Sequence, residues 1–518
     1  MPHDNIIIGK FIIDSLTTGM YNDPFCIYRE YIQNAADAID KDAYSEKKDV
    51  HRDYEIRIKL DPDPKCPLIT IEDNGCGVPV AQAGKTLLSL GDSTKISDRE
   101  RGFRGIGRLG GIAYCDTLIF TTKAKGESDE SCVEWDCREI QKLLNRHNDT
   151  SRHLEAKDLI AKCVTVKSQK SDKGNKESFF RVEMIGVKRE KSKLLDIVKV
   201  RSYIEKVAPL PFDTLQFHFG KKIDAWLRKE IADYQTYRIF LDDSLLKKCY
   251  SMTLPVHNKP PDELTGYDEI DIQDRQGKVI ARGWLGIRKD NLGAILPTSG
   301  LDSLRVRVGN ILIGDAPLLD PCFGAGTNAR FNGYLVGEIH IVARDLVPNG
   351  RRDDFEDSEM KTDFLRGVEK IVVPLITKSR KDSEHRNLVK PIETAKQTII
   401  KVNKQLENGF VGDEAKKSVM ATLRADDQKL AEIQQKRSIP DVIKEKAEIQ
   451  SEKLQSLLVE VKEAKPSVDG ALEGTVFSKK DKELIRKVLE AVHELYDKSS
   501  DQDDLISRVI QKLKRTNR

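Results

Sequence analysis

Three short segments within the first 111 residues constrain this 518-residue chain more than everything after them. Residues 30–38 (EYIQNAADA) set Glu30 and Asn34 four positions apart, so on a helix both side chains leave the same face, about 6 Å from one another. Asp37 adds a carboxylate one turn further on. A strand-like run, residues 67–71, ends in Glu72 and Asp73 and enters the tight turn Asn74, Gly75, Cys76, Gly77. Residues 101–111 (RGFRGIGRLGG) place Gly102, Gly105, Gly107, Gly110 and Gly111 among Arg101, Arg104 and Arg108, and the loop opens toward a further helix.

Each segment suits one part of a single chemistry. A glutamate can take a proton from an attacking water. An asparagine oxygen is a neutral ligand suited to Mg2+ already carrying triphosphate oxygens. A carboxylate at a strand end, Asp73, can accept a hydrogen bond from a purine amino group, with glycines that let the backbone approach the ring. Backbone N–H groups of a glycine-rich loop feeding a helix bind anions. Together they predict a pocket that binds and hydrolyses ATP. Singly, each has a plainer reading: a polar helix face, a common Asp-Asn-Gly turn and a flexible basic loop. The chain has no G-x-x-x-x-G-K-[ST] sequence, and its glycines do not follow the order of a dinucleotide fingerprint, so Walker and Rossmann sites are excluded.

Lys plus Arg (87) nearly cancels Asp plus Glu (84), so no overall field draws the chain to nucleic acid, although a local basic patch stays possible. The 9 cysteines form no pair of C-x-x-C units, which excludes a zinc site of that spacing. Cys132 and Cys137, the closest pair, read as reduced thiols. The start lacks the pattern of a secretory leader and no run approaches eighteen apolar residues. The expectation is a soluble, cytoplasmic protein with no membrane partner.

Residues 6–13 read as a strand or apolar strap, 24–40 as a helix, and 54–60, 117–122 and 179–187 as strands. Residues 168–178 read as an exposed turn. From 200 to 390, strand-like runs at 237–241, 278–287, 304–313 and 334–342 mix with a helix over 358–373, and the proline-rich 255–264 reads as a surface excursion. Beyond 393, apolar residues recur at helical spacing and predict a helical hairpin in which Ser438 and Pro440 open a new helix. Residues 466–474 read as a linker, followed by amphipathic helices over 479–496 and 503–513.

In this order and at these separations, the three segments resemble the GHKL ATPases, the superfamily of gyrase, the ninety-kilodalton heat-shock chaperones, histidine kinases and MutL, with the MORC proteins as close relatives. Residues 30–40 resemble the N box in its heat-shock wording, 73–77 the G1 box, and 88–111 the ATP lid and G2 box. Ser93, Thr94 and Lys95 and the run Gly102, Phe103, Arg104, Gly105 resemble MutL, whereas Gly105, Ile106 and Gly107 resemble the heat-shock phosphate loop. The resemblance implies Glu30 as general base, Asn34 as magnesium ligand, Asp73 as the adenine reader with Gly75 and Gly77 lining the base pocket, and Asp37 in the same site. Thr94, Lys95 and residues 102–107 would hold phosphates. One departure stands out: the family's Gly-Thr pair before its last strand is replaced by residues 176–180 (KESFF), leaving Ser178 as the candidate substitute.

Residues 345–353 resemble the chaperone segment that sets an arginine on the γ-phosphate, which implies Arg352 with Arg351 beside it. A solvated loop pairing both with Asp353, Asp354 and Glu356 fits as well. The implied fold is α+β: a Bergerat-type α/β sandwich ATP-binding domain over 1–200, an α+β transducer-like domain over 201–390, a helical region over 391–465 and a helical segment over 475–518. Histidine kinases lack the water-activating glutamate, so hydrolysis is favoured over phosphotransfer. The implied activity is that of an ATP- and Mg2+-dependent homodimeric clamp, associating through its N-terminal domains and remodelling a protein client. A MutL- or MORC-like clamp on nucleic acid, or a nucleotide-gated scaffold in a prokaryotic defence assembly with a partner subunit, are the alternatives.

Overall fold

The structure is a computed structural model, describing residues 7–16, 23–89, 107–145, 154–188, 193–291, 293–324, 326–408, 413–436, 439–464 and 477–495. It divides into two compact units, residues 1–376 and 377–518.

The first unit opens with α1 (Phe11–Leu16), α2 (Cys26–Glu46) and α3 (Val50–Asp53), then β1 (Ile56–Asp61), β2 (Leu68–Asp73) and α4 (Val80–Leu88). A 3-10 turn (Gly107–Ala113) leads to β3 (Thr117–Lys123), β4 (Asp129–Asp136), α5 (Cys137–Leu144), α6 (Ala156–Cys163), β5 (Val164–Lys170) and β6 (Phe179–Ile185). After α7 (Ile197–Val207) and α8 (Gly220–Glu230) come β7 (Ile239–Leu241) and β8 (Ser244–Leu245). These eight strands form one sheet in the order β5-β4-β3-β6-β2-β1-β7-β8, antiparallel except where β1 meets β7. The expected domain limit at residue 200 is therefore crossed, since the sheet takes β7 and β8 from beyond it.

A second sheet has the order β13-β12-β14-β11-β10-β9, built from β9 (Thr253–Leu254), β10 (Asp262–Gln273), β11 (Val279–Arg288), β12 (Ser303–Val308), β13 (Ile311–Ile313) and β14 (Val336–Ile341). The expected single run over 304–313 is a hairpin instead. Gly309 (φ 54°) and Asn310 (φ 61°) both take left-handed backbone, which matches the twist of a two-residue turn. Residues 255–264 are not all excursion, because β10 begins at the buried Asp262. Residues 168–170 are not a turn but the end of β5. At the N-terminus the expected strand is replaced by a bridge from Gly9 to Glu155 followed by α1.

The helix α2 is the spine of the first sheet's core. Ile27, Tyr28, Tyr31, Ile32, Ala35 and Ile39 are buried against that sheet, and each large aliphatic among them contributes about 1.5–3 kcal/mol. Lys47 closes the helix in left-handed backbone (φ 51°), its N–H donating to the Ala43 carbonyl. Strand alternation does the rest: Ile69 and Ile71 point inward on β2, and the period of two carries Asp73 inward with them.

The second unit holds the later part of α9 (Glu359–Asn408), α10 (Asp413–Gln435), α11 (Asp441–Glu463) and α12 (Lys479–Leu495). Ile392, Val402, Leu423, Leu430, Leu454 and Leu457 share one core, so three helical stretches pack where a two-helix hairpin was expected. Pro440 occupies the N-cap of α11, while Ser438 and the expected helix at 503–513 lie outside the described residues. Among the described residues no helix is long and apolar enough to cross a membrane.

Candidate nucleotide site

The buried strip of α2 that faces away from the aliphatic core is polar. Glu30 and Asp37 are buried and Asn34 is half-buried on the same face, with the buried Gln33 beside them. From residue 30 to residue 38 the helix rises about 12 Å. The two ends of that strip meet different partners.

At the first end, the Glu30 carboxylate meets Gly107 and Arg352. A Cβ on Gly107 would lie 2.2 Å from Glu30 Oε2, so a side chain there would push the carboxylate aside. Arg352 Nε lies 3.7 Å from Glu30 Oε1, and Arg29 Nη2 lies 3.4 Å from the same oxygen. Arg29 also grips the arginine loop by its backbone, donating to the Arg351 carbonyl at 2.9 Å and to the Arg352 carbonyl at 3.5 Å. Arg352 itself has left-handed backbone (φ 56°), and its carbonyl accepts from Gly314 N–H at 2.8 Å. The acids nearby are engaged elsewhere: Asp353 accepts from Asn349 and Asp354 pairs with Lys361. Tyr31, adjacent to Glu30, fastens the glycine turn by accepting from Gly111 N–H and donating to the Arg108 carbonyl, both at 3.1 Å.

At the other end lies the Asp73 turn. Asp73 Oδ1 accepts from Gly75 N–H at 2.9 Å, and burial pushes the carboxyl up to about 8, against that one hydrogen bond. Gly75 packs on α2, where a Cβ would lie 2.8 Å from the Ala38 carbonyl carbon, and Cys76 N–H donates to the Ala38 carbonyl. Gly77 (φ +62°) presses on the ends of β3 and β6, 2.1 Å from the Lys123 carbonyl oxygen for a built Cβ. The Thr122 hydroxyl accepts from Val78 N–H at 2.9 Å and donates to the Phe179 carbonyl at 3.0 Å.

Thus Glu30, Gly107 and Arg352 converge at one end of the strip, and Asp73, Gly75 and Gly77 at the other, with Asn34 and Asp37 between. Thr94, Lys95, Gly102, Phe103, Arg104, Gly105 and Ile106 lie outside the described residues. Three residues went unnoticed in the sequence. Thr122 shares the inward face of β3 with Leu118 and Phe120, so strand alternation was a usable signal. Tyr31 lies on the buried face of α2 like its aliphatic neighbours, and nothing local marked Arg29.

Residues 26–171 match a family described as histidine kinase-, DNA gyrase B- and HSP90-like ATPases. Residues 26–171 form a GHKL ATPase domain. The chain is 29% identical over 139 residues to a chaperone protein HtpG of Psychrobacter arcticus, covering 24% of this chain and 21% of that one. HtpG proteins of Shewanella loihica (28% over 143 residues) and Geobacter metallireducens (27% over 141) match over 24% of this chain and 22% of theirs. The chain therefore spans about a fifth of the length of the curated relatives it matches.

The strip offers Asn34 as a neutral oxygen donor between the carboxylates of Glu30 and Asp37, a donor set that fits a nucleotide with a hard cation; among the described residues no cluster of three or more His, Cys, Asp or Glu could hold a metal. That is the arrangement in which substrate phosphates supply the remaining ligands.

Proposed function

We propose that this chain binds ATP along α2 and hydrolyses it. The adenine amino group donates to Asp73, with Gly75 and Gly77 admitting the ring and Thr122 bracing the wall behind it. The phosphates run along the helix toward Glu30, where Gly107 offers its backbone N–H. Asn34 would hold a magnesium ion, with Asp37 adjacent, and such an ion would neutralise charge on the phosphates. Glu30 removes a proton from the attacking water, and Arg352 offsets the charge that develops on the transferred phosphoryl group. The observation that carries this reading is the meeting of Glu30, Gly107 and Arg352, residues from three separate stretches of sequence.

Beyond the reaction, the chain acts as an ATP-gated homodimeric clamp that remodels protein partners, as the chaperone names of its relatives suggest. Supporting this, α1 and the residues before it present Ile7, Ile8, Phe11 and Ile12 at 42–72% exposure, an apolar surface suited to association. Steady-state ATPase of wild type, Glu30→Ala and Asp73→Asn, each with and without magnesium and duplex DNA, tests the proposal. Equal turnover in all three proteins overturns the site. Light scattering that shows no ATP-dependent change in mass overturns the clamp, and stimulation by DNA replaces the protein client with nucleic acid.

A further inference from the structure

The second sheet buries a cluster of charge that the nucleotide site does not use. Glu338 on β14 is fully buried, with Lys248 Nζ at 2.7 Å, Arg307 Nε at 2.6 Å and the Tyr250 hydroxyl at 3.2 Å. Arg305 stands opposite Glu338 in the register of β12 and β14 and is only 3% exposed. The single carboxylate is already shared by Lys248 and Arg307. Among the described residues, Arg305 Nε and Nη2 have no hydrogen-bond partner. Its remaining nitrogen, Nη1, reaches the Tyr250 hydroxyl at 3.4 Å and Cys249 Sγ at 3.5 Å. A guanidinium is always charged, and buried N–H donors left without an acceptor are costly.

Cys249 differs from the other cysteines in this respect. Cys26, Cys115, Cys137, Cys163 and Cys322 are buried and Cys66 is exposed; Cys249 is part-buried like Cys76 and Cys132, but its sulfur lies between the Arg305 guanidinium and the Gly300 carbonyl, 3.1 Å away. We propose that Cys249 is a peroxide-sensing modification site, in which the oxygen gained on sulfur becomes the partner that Arg305 lacks. The guanidinium beside the sulfur offers an N–H donor to an oxygen gained there.

The step balances without a further reagent. The thiol releases its proton to solvent, and the sulfur attacks one oxygen of hydrogen peroxide. An S–O bond forms, the O–O bond breaks, and the leaving hydroxide takes up a proton as water. Sulfur gives up two electrons and the peroxide accepts them. The sulfenic acid keeps both existing contacts, since its O–H donates to the Gly300 carbonyl while its oxygen accepts from Arg305. Cys249 follows Lys248, which the Phe212–Lys248 bridge and the Asn310 side chain hold in the wall of the same cluster. Oxidation there adds a hydrogen-bond acceptor beside the Arg305 guanidinium.

The full-length protein treated with hydrogen peroxide and trapped with dimedone, then mapped by mass spectrometry, tests this, with the exposed Cys66 as internal reference. The expected result is labelling of Cys249 at least about tenfold faster than Cys66, falling about tenfold in Arg305→Gln with Cys66 unchanged. Arg305→Lys, which keeps a charge but loses the planar fork, is expected between the two. Labelling of Cys249 at or below the Cys66 rate in wild type overturns the proposal by itself, so a variant that fails to fold leaves the test intact. A folded Arg305→Gln protein whose Cys249 still reacts at the wild-type rate overturns it equally.

Discussion

Arg352 lies 3.7 Å from the Glu30 carboxylate while Arg29, the neighbour of Glu30 on α2, holds the arginine loop by two backbone carbonyls. Glu30 and Arg352 are thereby linked through α2, the helix that carries Glu30 and Arg29. A left-handed, non-glycine residue at this point is backbone strain retained where the surrounding contacts enforce it. Glu30→Ala is expected to lower kcat about 10²- to 10³-fold while ATP affinity stays within a few-fold, since general-base assistance acts on the water and not on the nucleotide. Single-turnover hydrolysis beside equilibrium ATP binding checks it, and a parallel loss of both sinks the base assignment.

Arg29 and Arg352 are expected to act as one unit. Arg352→Ala should cost about 10²-fold or more in kcat through lost charge stabilisation. Arg29→Ala should cost a similar order by releasing the loop. Because the second removes what positions the first, the double variant is expected to lose little more than either alone. Additive losses in that double-mutant cycle refute the coupling.

Asp73 links binding to stability. Its folded carboxyl, raised by burial to about 8, lies far above the unfolded value of about 3.9. The protonated form is therefore stable below pH 4, and that contribution is lost as pH rises through about 8. Asparagine cannot ionise and keeps an acceptor for Gly75 N–H. Asp73→Asn is expected to melt higher than wild type at pH 8.5, with the gap closing toward pH 4, while ATP binding is lost. Wild-type ATP affinity should rise from pH 6 to 8 by at most about tenfold per unit, because the adenine donor selects the carboxylate. Melting curves across pH with calorimetric titration of ATP check both, and a variant no more stable at pH 8.5 contradicts the desolvation argument.

The parts of the site that were legible in the sequence are those in which chemistry and local geometry share one short stretch. Helical spacing alone put Glu30, Asn34 and Asp37 on one face, and strand alternation alone sent Asp73 inward. The meeting of Arg352 with Glu30 required tertiary packing through Arg29, which no periodicity encodes. The same limit explains the missed strands. β5 (VTVKSQK) is an exposed edge with almost nothing buried, and β10 (DELTGYDEIDIQ) is acidic and largely half-exposed, so neither shows an apolar period of two. The hairpin of β12 and β13 was hidden because Gly309 and Asn310 were read as part of one apolar run.

Glu338 offers the sharpest test of what holds the second sheet to its neighbours. Burial by itself would raise its carboxyl, yet Arg307 and Lys248 hold it well below the usual carboxylate range. Its stabilising contribution is therefore present above about pH 4.3 and lost as pH falls through the depressed folded value. Lys248 is the opposite case, pushed down to about 7 by burial and then by Arg307, so its desolvation cost is greatest below pH 7 and fades as pH rises toward 10. Removing the shared acid leaves Arg307, which also donates to the Asn310 and Lys206 carbonyls, as an uncompensated buried cation. Glu338→Gln is expected to cost about 3–5 kcal/mol at pH 7. Lys248→Met, which removes a half-neutralised cation and leaves the Glu338–Arg307 pair intact, should cost less than half as much. Thermal melts of the two variants at pH 7 decide between them, and equal losses would mean that the cluster is held by packing around Trp284 and Phe212 rather than by its one carboxylate.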